Sequence, residues 1–176
     1  MFENLKKKIG HYLLKRKFIR KNSEPVSFNK IISGSFDFFI VMPKDDQDFY
    51  QALELIRFFQ LHKKRITLFL PDFKYSLIPE KEKYEHISYQ PDQITKFFLP
   101  AGSLVNVINK KEYDVVLDFN RTEDIFCSAA ANIPRAKVRA GFSKLNSDYY
   151  YNLQFNGKAG GAEVTYRNFL RFLQLF

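Results

Sequence analysis

A single cysteine, Cys127, in 176 residues excludes an intrachain disulfide and points to a reducing, cytoplasmic setting. Within Ile125-Phe126-Cys127-Ser128-Ala129 it reads as a small buried apolar side chain rather than a nucleophile. Tryptophan is absent, and glycine and proline number seven each, too few for a collagen-like or low-complexity chain. No run of about 18 apolar residues occurs, and the N-terminus lacks the apolar stretch and cleavage site of a signal peptide, so neither a membrane span nor export is expected. His11, His62 and His86 are scattered and one cysteine cannot complete a zinc site, so neither a metal nor a cofactor is expected. A P-loop and a G-x-G-x-x-G after the first strand are both missing, which argues against phosphate-cradling nucleotide binding. Gly157, Gly160 and Gly161 have the wrong spacing for either motif and read as a connecting loop.

What is present is a 45% apolar, 17% aromatic chain, enough for one domain with its own core. The net charge of +9 is unevenly placed. Lys6, Lys7, Lys8, Lys15, Arg16, Lys17, Arg20 and Lys21 face only Glu3 within residues 1–21, and the remaining 155 residues are close to neutral. Phe2, Leu5, Ile9, Tyr12 and Leu13 recur at helical steps there, with lysines filling much of the opposite face. Residues 1–24 therefore read as a basic amphipathic helix and the start of a linker, broken by Pro25 and outside the core of a single domain over 25–176. Such a helix suits an anionic membrane surface; weak, non-specific nucleic-acid binding and a solvated or partner-bound tail are the alternatives.

From residue 36 onward, short apolar runs alternate with helical stripes. Phe38–Met42, 66–70, a short run at 87–89, 113–119, 138–142 and 149–153 read as strands; 48–62, 103–111, a segment from a Thr122 cap to about Asn132, and a terminal stripe through Tyr166, Phe169, Phe172, Leu173 and Phe176 read as helices. Residues 22–35 read as linker. The pattern predicts an α/β fold: a three-layer Rossmann-like sandwich with a mainly parallel sheet, preceded by the basic helix.

Ligands of such sheets sit beyond the carboxyl ends of strands, at the point where strand order reverses. With order 3-2-1-4-5, the loop Lys44-Asp45-Asp46-Gln47-Asp48 and the turn Asp118-Phe119-Asn120-Arg121 face one crevice, where four carboxylates and an arginine converge. A carboxylate there can act as a general base toward a sugar hydroxyl, several can hold Mg²⁺, and an acidic residue before a helix can simply cap it. The Asp45-Asp46 pair also resembles the acidic pair of response-regulator receiver domains, but Asp118 follows the fourth strand rather than the third and no strand-end lysine matches near the chain's end.

The segments Ile40-Val41-Met42-Pro43 to Phe58-Phe59, Arg65–Pro71, Tyr113-Asp114-Val115-Val116-Leu117-Asp118, Val138-Arg139-Ala140-Gly141-Phe142 and Glu163–Leu175 resemble, in order, the N-terminal, acceptor-side domain of heptosyltransferase-like glycosyltransferases of GT-B architecture. The resemblance covers roughly residues 36–176. It implies a role in lipopolysaccharide or other surface-glycan assembly, on the inner face of the cytoplasmic membrane, with Asp48 as catalytic base and Asp45, Asp46, Asp118, Asn120 and Arg121 at the substrate. Where that family has a Gly-Asp turn this chain has Gln47-Asp48, and Glu54 replaces a proline, which implies a remodelled acceptor site. The family's donor-binding half would begin where these residues stop, so activity is expected to need a donor-binding chain. The alternative is a non-catalytic module for a glycan, lipid or protein. The apolar stripe of the terminal helix is expected to pack partly on another chain, a homodimer or a donor-domain partner.

Overall fold

The computed structural model describes residues 2–19, 26–157 and 160–176. Its centre is a sheet of six parallel strands: β1 (Asp37–Val41), β2 (Arg65–Pro71), β3 (Glu85–Tyr89), β4 (Val115–Asp118), β5 (Val138–Phe142) and β6 (Leu153–Phe155), in the order β3-β2-β1-β4-β5-β6. Ile40 of β1 sits in register between Leu68 of β2 and Leu117 of β4. Side chains of the central strands alternate between two covered faces, which is why β1 and most of β2 and β4 read as apolar runs.

One face carries Phe38, Ile40, Leu68 and Leu117 against α3 (Asp46–Leu61) and α7 (Ala162–Leu173), whose Phe49, Ile56, Phe59, Tyr166, Phe169 and Leu173 are buried. The other carries Phe39, Val41, Phe69 and Val116 against α4 (Gly102–Ile108) and α5 (Ile125–Asn132), with Leu104, Ile108, Phe126 and the wholly buried Cys127 between. The three-layer α/β sandwich is thus as the sequence pattern implies.

Four local expectations are corrected. The basic helix α1 (Phe2–Lys17) does not lie outside the core. Leu14 is fully buried in the second face, and Gly10 lies under the carbonyl of Phe97, so the docked side uses a glycine and one leucine that an apolar-stripe reading passes over. His11 holds the docked helix, bonding through Nδ1 to the Tyr150 hydroxyl at 2.6 Å and through Nε2 to Glu123 at 3.2 Å. The linker expected over 22–35 contains α2 (Ile31–Gly34), whose Ile32 enters the core, while Val26 and Phe28 pack against it; residues 22–25 lie outside the described residues, as do Arg20 and Lys21.

The cap of α5 is Asp124, not Thr122: its carboxylate accepts from the Cys127 backbone N–H at 2.9 Å, the geometry that satisfies a first-turn donor. The strand expected at 149–153 is instead the end of a short helix, α6 (Ser147–Tyr150), followed by β6. Tyr150 and Tyr151 turn inward onto the α5 face, and Asn152 accepts from the Arg139 backbone N–H, anchoring the bend before β6.

On α7, Phe169 and Leu173 are buried and Phe172 and Phe176 pack against the core, Phe176 edge-on to Phe28. Leu175 remains exposed. Among the described residues, no helix is long and apolar enough to cross a membrane.

Candidate functional site

The crossovers diverge between β1 and β4, so the carboxyl ends of those strands form the switch point where a doubly wound sheet binds its ligands. Asn120 straps the two ends together, its Nδ2 donating to the Met42 carbonyl at 3.4 Å.

The carboxylates expected to converge here are divided among separate partners. Asp45 caps α3, accepting from the Asp48 backbone N–H at 3.0 Å, and its charge suits the positive end of that helix. Asp46 turns outward to the ammonium of Lys74 at 2.9 Å. Lys74 is almost wholly buried and also donates to the Lys44 carbonyl at 2.6 Å, so one ammonium pins the β1–α3 loop to the turn after β2.

Asp48 and Arg121 do meet. Arg121 Nε lies 2.8 and 2.9 Å from the two carboxylate oxygens and its terminal nitrogen 2.6 Å from one of them, with the Asp48 side chain only 7% exposed. This charge-assisted, multiply bonded geometry is among the strongest side-chain pairings. The bond to Asp48 raises the Arg121 guanidinium above its already high value.

Asp118 belongs to a different cluster, completely buried at the end of β4. It accepts from Lys144 Nζ at 2.8 Å, from the Tyr151 hydroxyl, and from the Asn120 backbone and side-chain nitrogens at 3.0 and 2.7 Å. Lys144 also donates to the Asn120 carbonyl at 2.9 Å, which closes the network. Burial, with the neighbouring Asp118 charge, pushes the Tyr151 phenol well up, so it stays a neutral donor. The structure thus brings Asp45, Asp48 and Arg121 to one turn of the crevice, and places Asp118 and Asn120 beneath it and Asp46 beside it.

Sequence reasoning missed Lys44, Lys74, Asp124, Lys144 and Tyr151. Lys44 pairs with Asp124 at 2.7 Å across the switch point. Burial alone would raise the Asp124 carboxyl; the Lys44 charge and the Cys127 N–H outweigh it and hold the carboxyl below its ordinary value. Beside Lys44, beyond the ends of β2 and β3, opens a cavity of about 400 Å³. Pro71, Phe73, Pro91 and Ile94 form its apolar walls and Asp72 and Gln90 add polar groups. Tyr89 also lines it; its hydroxyl is buried without a hydrogen-bond partner among the described residues. A second cavity, about 520 Å³, lies at the opposite edge around Asp37, Tyr113 and Lys137, where a parallel sheet does not place its ligands. Among the described residues no three His, Cys, Asp or Glu side chains are grouped to hold a metal ion.

Strand order and site together define a doubly wound, Rossmann-like α/β domain with its polar groups at the carboxyl edge of the sheet. The chain belongs to a family of unknown function, DUF6913, whose model matches residues 3–176. No curated protein sequence matches it. Among solved structures it is similar to the glycosyl transferase family 9 protein from Veillonella parvula DSM 2008, with a TM-score of 0.61 at 12% identity over 88% of this chain and 44% of that one. The chain therefore spans less than half the length of that structure, and the likeness is one of fold. It meets the sequence resemblance at that level.

Proposed function

We propose that this chain is a glycosyltransferase-like domain that binds a saccharide at the carboxyl edge of its sheet without itself catalysing transfer. The observation that carries this reading is the Asp48–Arg121 clamp. A general base must present a free oxygen to the hydroxyl it deprotonates, whereas both Asp48 oxygens are engaged and the side chain is nearly inaccessible. The cavity beside Lys44 supplies the binding chemistry. The exposed Phe73 ring offers a face for sugar C–H groups, and Lys44, Asp72 and Gln90 offer hydrogen bonds. The fold likeness to a glycosyl transferase family 9 protein supports the choice of a saccharide, and in this reading the domain serves the assembly of lipopolysaccharide or another surface glycan.

A second reading, the acceptor-side half of an active heptosyltransferase-like enzyme, is favoured by the place of Asp48 on the first turn of the helix after β1, beside the end of β4. In that reading Arg121 swings aside when acceptor binds.

One experiment separates them. Hexoses and heptoses titrated into the protein and followed by NMR are expected to perturb residues 71–73 and 89–94, with loss in Phe73→Ala. Added to extract of the source cells, which supplies any donor-binding chain, the protein is expected to leave sugar-nucleotide turnover unchanged, with and without Asp48→Asn. Turnover or transfer that disappears in Asp48→Asn establishes the enzyme instead, and no saccharide-dependent shift at these residues removes the binding reading.

A further inference from the structure

The side of α1 that does not dock carries the second chemistry of the molecule. At 100° per residue, Phe2, Leu5, Ile9 and Tyr12 share an arc of roughly 80°, on the side of the helix away from Gly10 and Leu14. Phe2 is 82% exposed, Leu5 55% and Tyr12 61%. Lys8 and Lys15 flank this arc on one side, Lys6 and Lys17 on the other, and Arg16 falls within it. All are exposed except Lys15, which is partly covered where its ammonium lies over the Tyr149 ring.

Gly10 approaches the Phe97 carbonyl and Ile125, and His11 bonds to Glu123 and Tyr150, so the helix is fixed to the body beside the carboxyl end of β4. An apolar stripe held away from its own domain and bordered on both sides by cations matches one kind of surface: an apolar layer under a sheet of negative charge.

We propose that α1 is an interfacial helix that lays Phe2, Leu5 and Tyr12 into a membrane containing anionic lipid, with its lysines at the headgroups, and so holds the carboxyl edge of the sheet beside the bilayer. A nucleic acid would satisfy the cations but leave the apolar arc in water. A second copy docking here face to face would oppose the same cations to one another. Neither meets both halves of the pattern. The proposal is independent of what the crevice binds, because its residues and its readout are separate from the sheet edge.

The test is flotation of the full chain at physiological salt with vesicles of pure phosphatidylcholine or of phosphatidylcholine with 30% phosphatidylglycerol. Two variants change only exposed positions: Phe2→Ser/Leu5→Ser/Tyr12→Ser, and Lys6→Gln/Lys8→Gln/Lys17→Gln. Each is checked for unchanged circular dichroism. The protein is expected to float with anionic vesicles and not with neutral ones. Each lysine contributes on the order of five-fold in partitioning, so the lysine variant should lose on the order of 100-fold. The serine variant should lose binding although its charge is unchanged. Equal flotation with both vesicle types, or a serine variant that floats like the parent, overturns the proposal. Tighter binding to duplex DNA than to anionic vesicles, or a dimer that the serine variant dissolves, assigns the face to a nucleic acid or to a second copy and overturns it equally.

Discussion

Replacing Gly10 by alanine sets two effects of opposite sign against each other. In a helix interior alanine is favoured over glycine by about 1 kcal/mol, so a glycine with free space around it should give a more stable protein when replaced. Gly10 has no such space: an added Cβ would collide with the carbonyl oxygen of Phe97 and touch Ile125 at 3.5 Å. The oxygen belongs to a turn held by Thr95 N–H to the Leu99 carbonyl and Phe98 N–H to the Thr95 carbonyl, and it has little room to retreat. Overpacking of this kind costs roughly 1–3 kcal/mol. If the helix lifts instead, much of the roughly 1.5–3 kcal/mol from burying Leu14 is lost. Either route outweighs the propensity gain, and Gly10→Ala is expected to destabilise the protein by about 1–2 kcal/mol. Urea denaturation followed by far-ultraviolet circular dichroism measures it, with Gly102→Ala as the control, since no atom lies within 4 Å of a Cβ built there. A Gly10→Ala protein more stable than the parent by about 1 kcal/mol would refute the docked position of α1.

Further consequences follow for the buried polar groups. Lys144→Met leaves Asp118 as an unpaired buried charge and should cost roughly 3–5 kcal/mol; a loss below about 1 kcal/mol in equilibrium unfolding would show that water reaches Asp118. Tyr89→Phe removes a buried hydroxyl that has no hydrogen-bond partner among the described residues and should stabilise the ligand-free protein by about 1 kcal/mol, so a lower thermal midpoint contradicts the orphaned state. Burial lowers the His11 pKa from 6.5 against the opposing pull of Glu123, with Lys15 adding to the lowering. The folded state therefore binds its proton less readily than the unfolded chain, and this contribution to stability is present above about pH 6.5 and lost as pH falls toward the lowered value. Stability measured from pH 7.5 to 5 should fall less steeply in His11→Gln; equal slopes would remove His11 from the pH response.

Much of the sheet was legible because its strands are covered on both faces. Phe38–Met42 announces itself as a short unbroken apolar run and 66–70 as one broken only by Thr67, and the stripes of α3 and α7 have an unambiguous helical period. Errors fell where a side chain serves two structures at once. Tyr149–Leu153 has strand-like composition, but Tyr150 and Tyr151 are needed on the α5 face and the chain bends to deliver them. On α1 the strongest apolar stripe is the exposed one, while docking rests on Gly10, chosen for what it lacks. At the crevice, Asp48 and Arg121 are 73 positions apart, and inferred strand order was enough to bring their loops together. Order alone did not divide the carboxylates, because the cations that claim them, Lys74 and Lys144, stand in segments with no pattern of their own.

The sheet's two outer strands have a consequence for how this protein behaves when crowded. An incoming strand from another molecule would meet either β6, three residues and about 10 Å of backbone, or β3, whose first two residues are an exposed glutamate and histidine. Neither edge gives a flat apolar template, so growth of the sheet from molecule to molecule is discouraged at both ends. Two copies that associate natively must therefore meet through helices or loops, and a rise in sheet content on concentration would report unfolding rather than assembly.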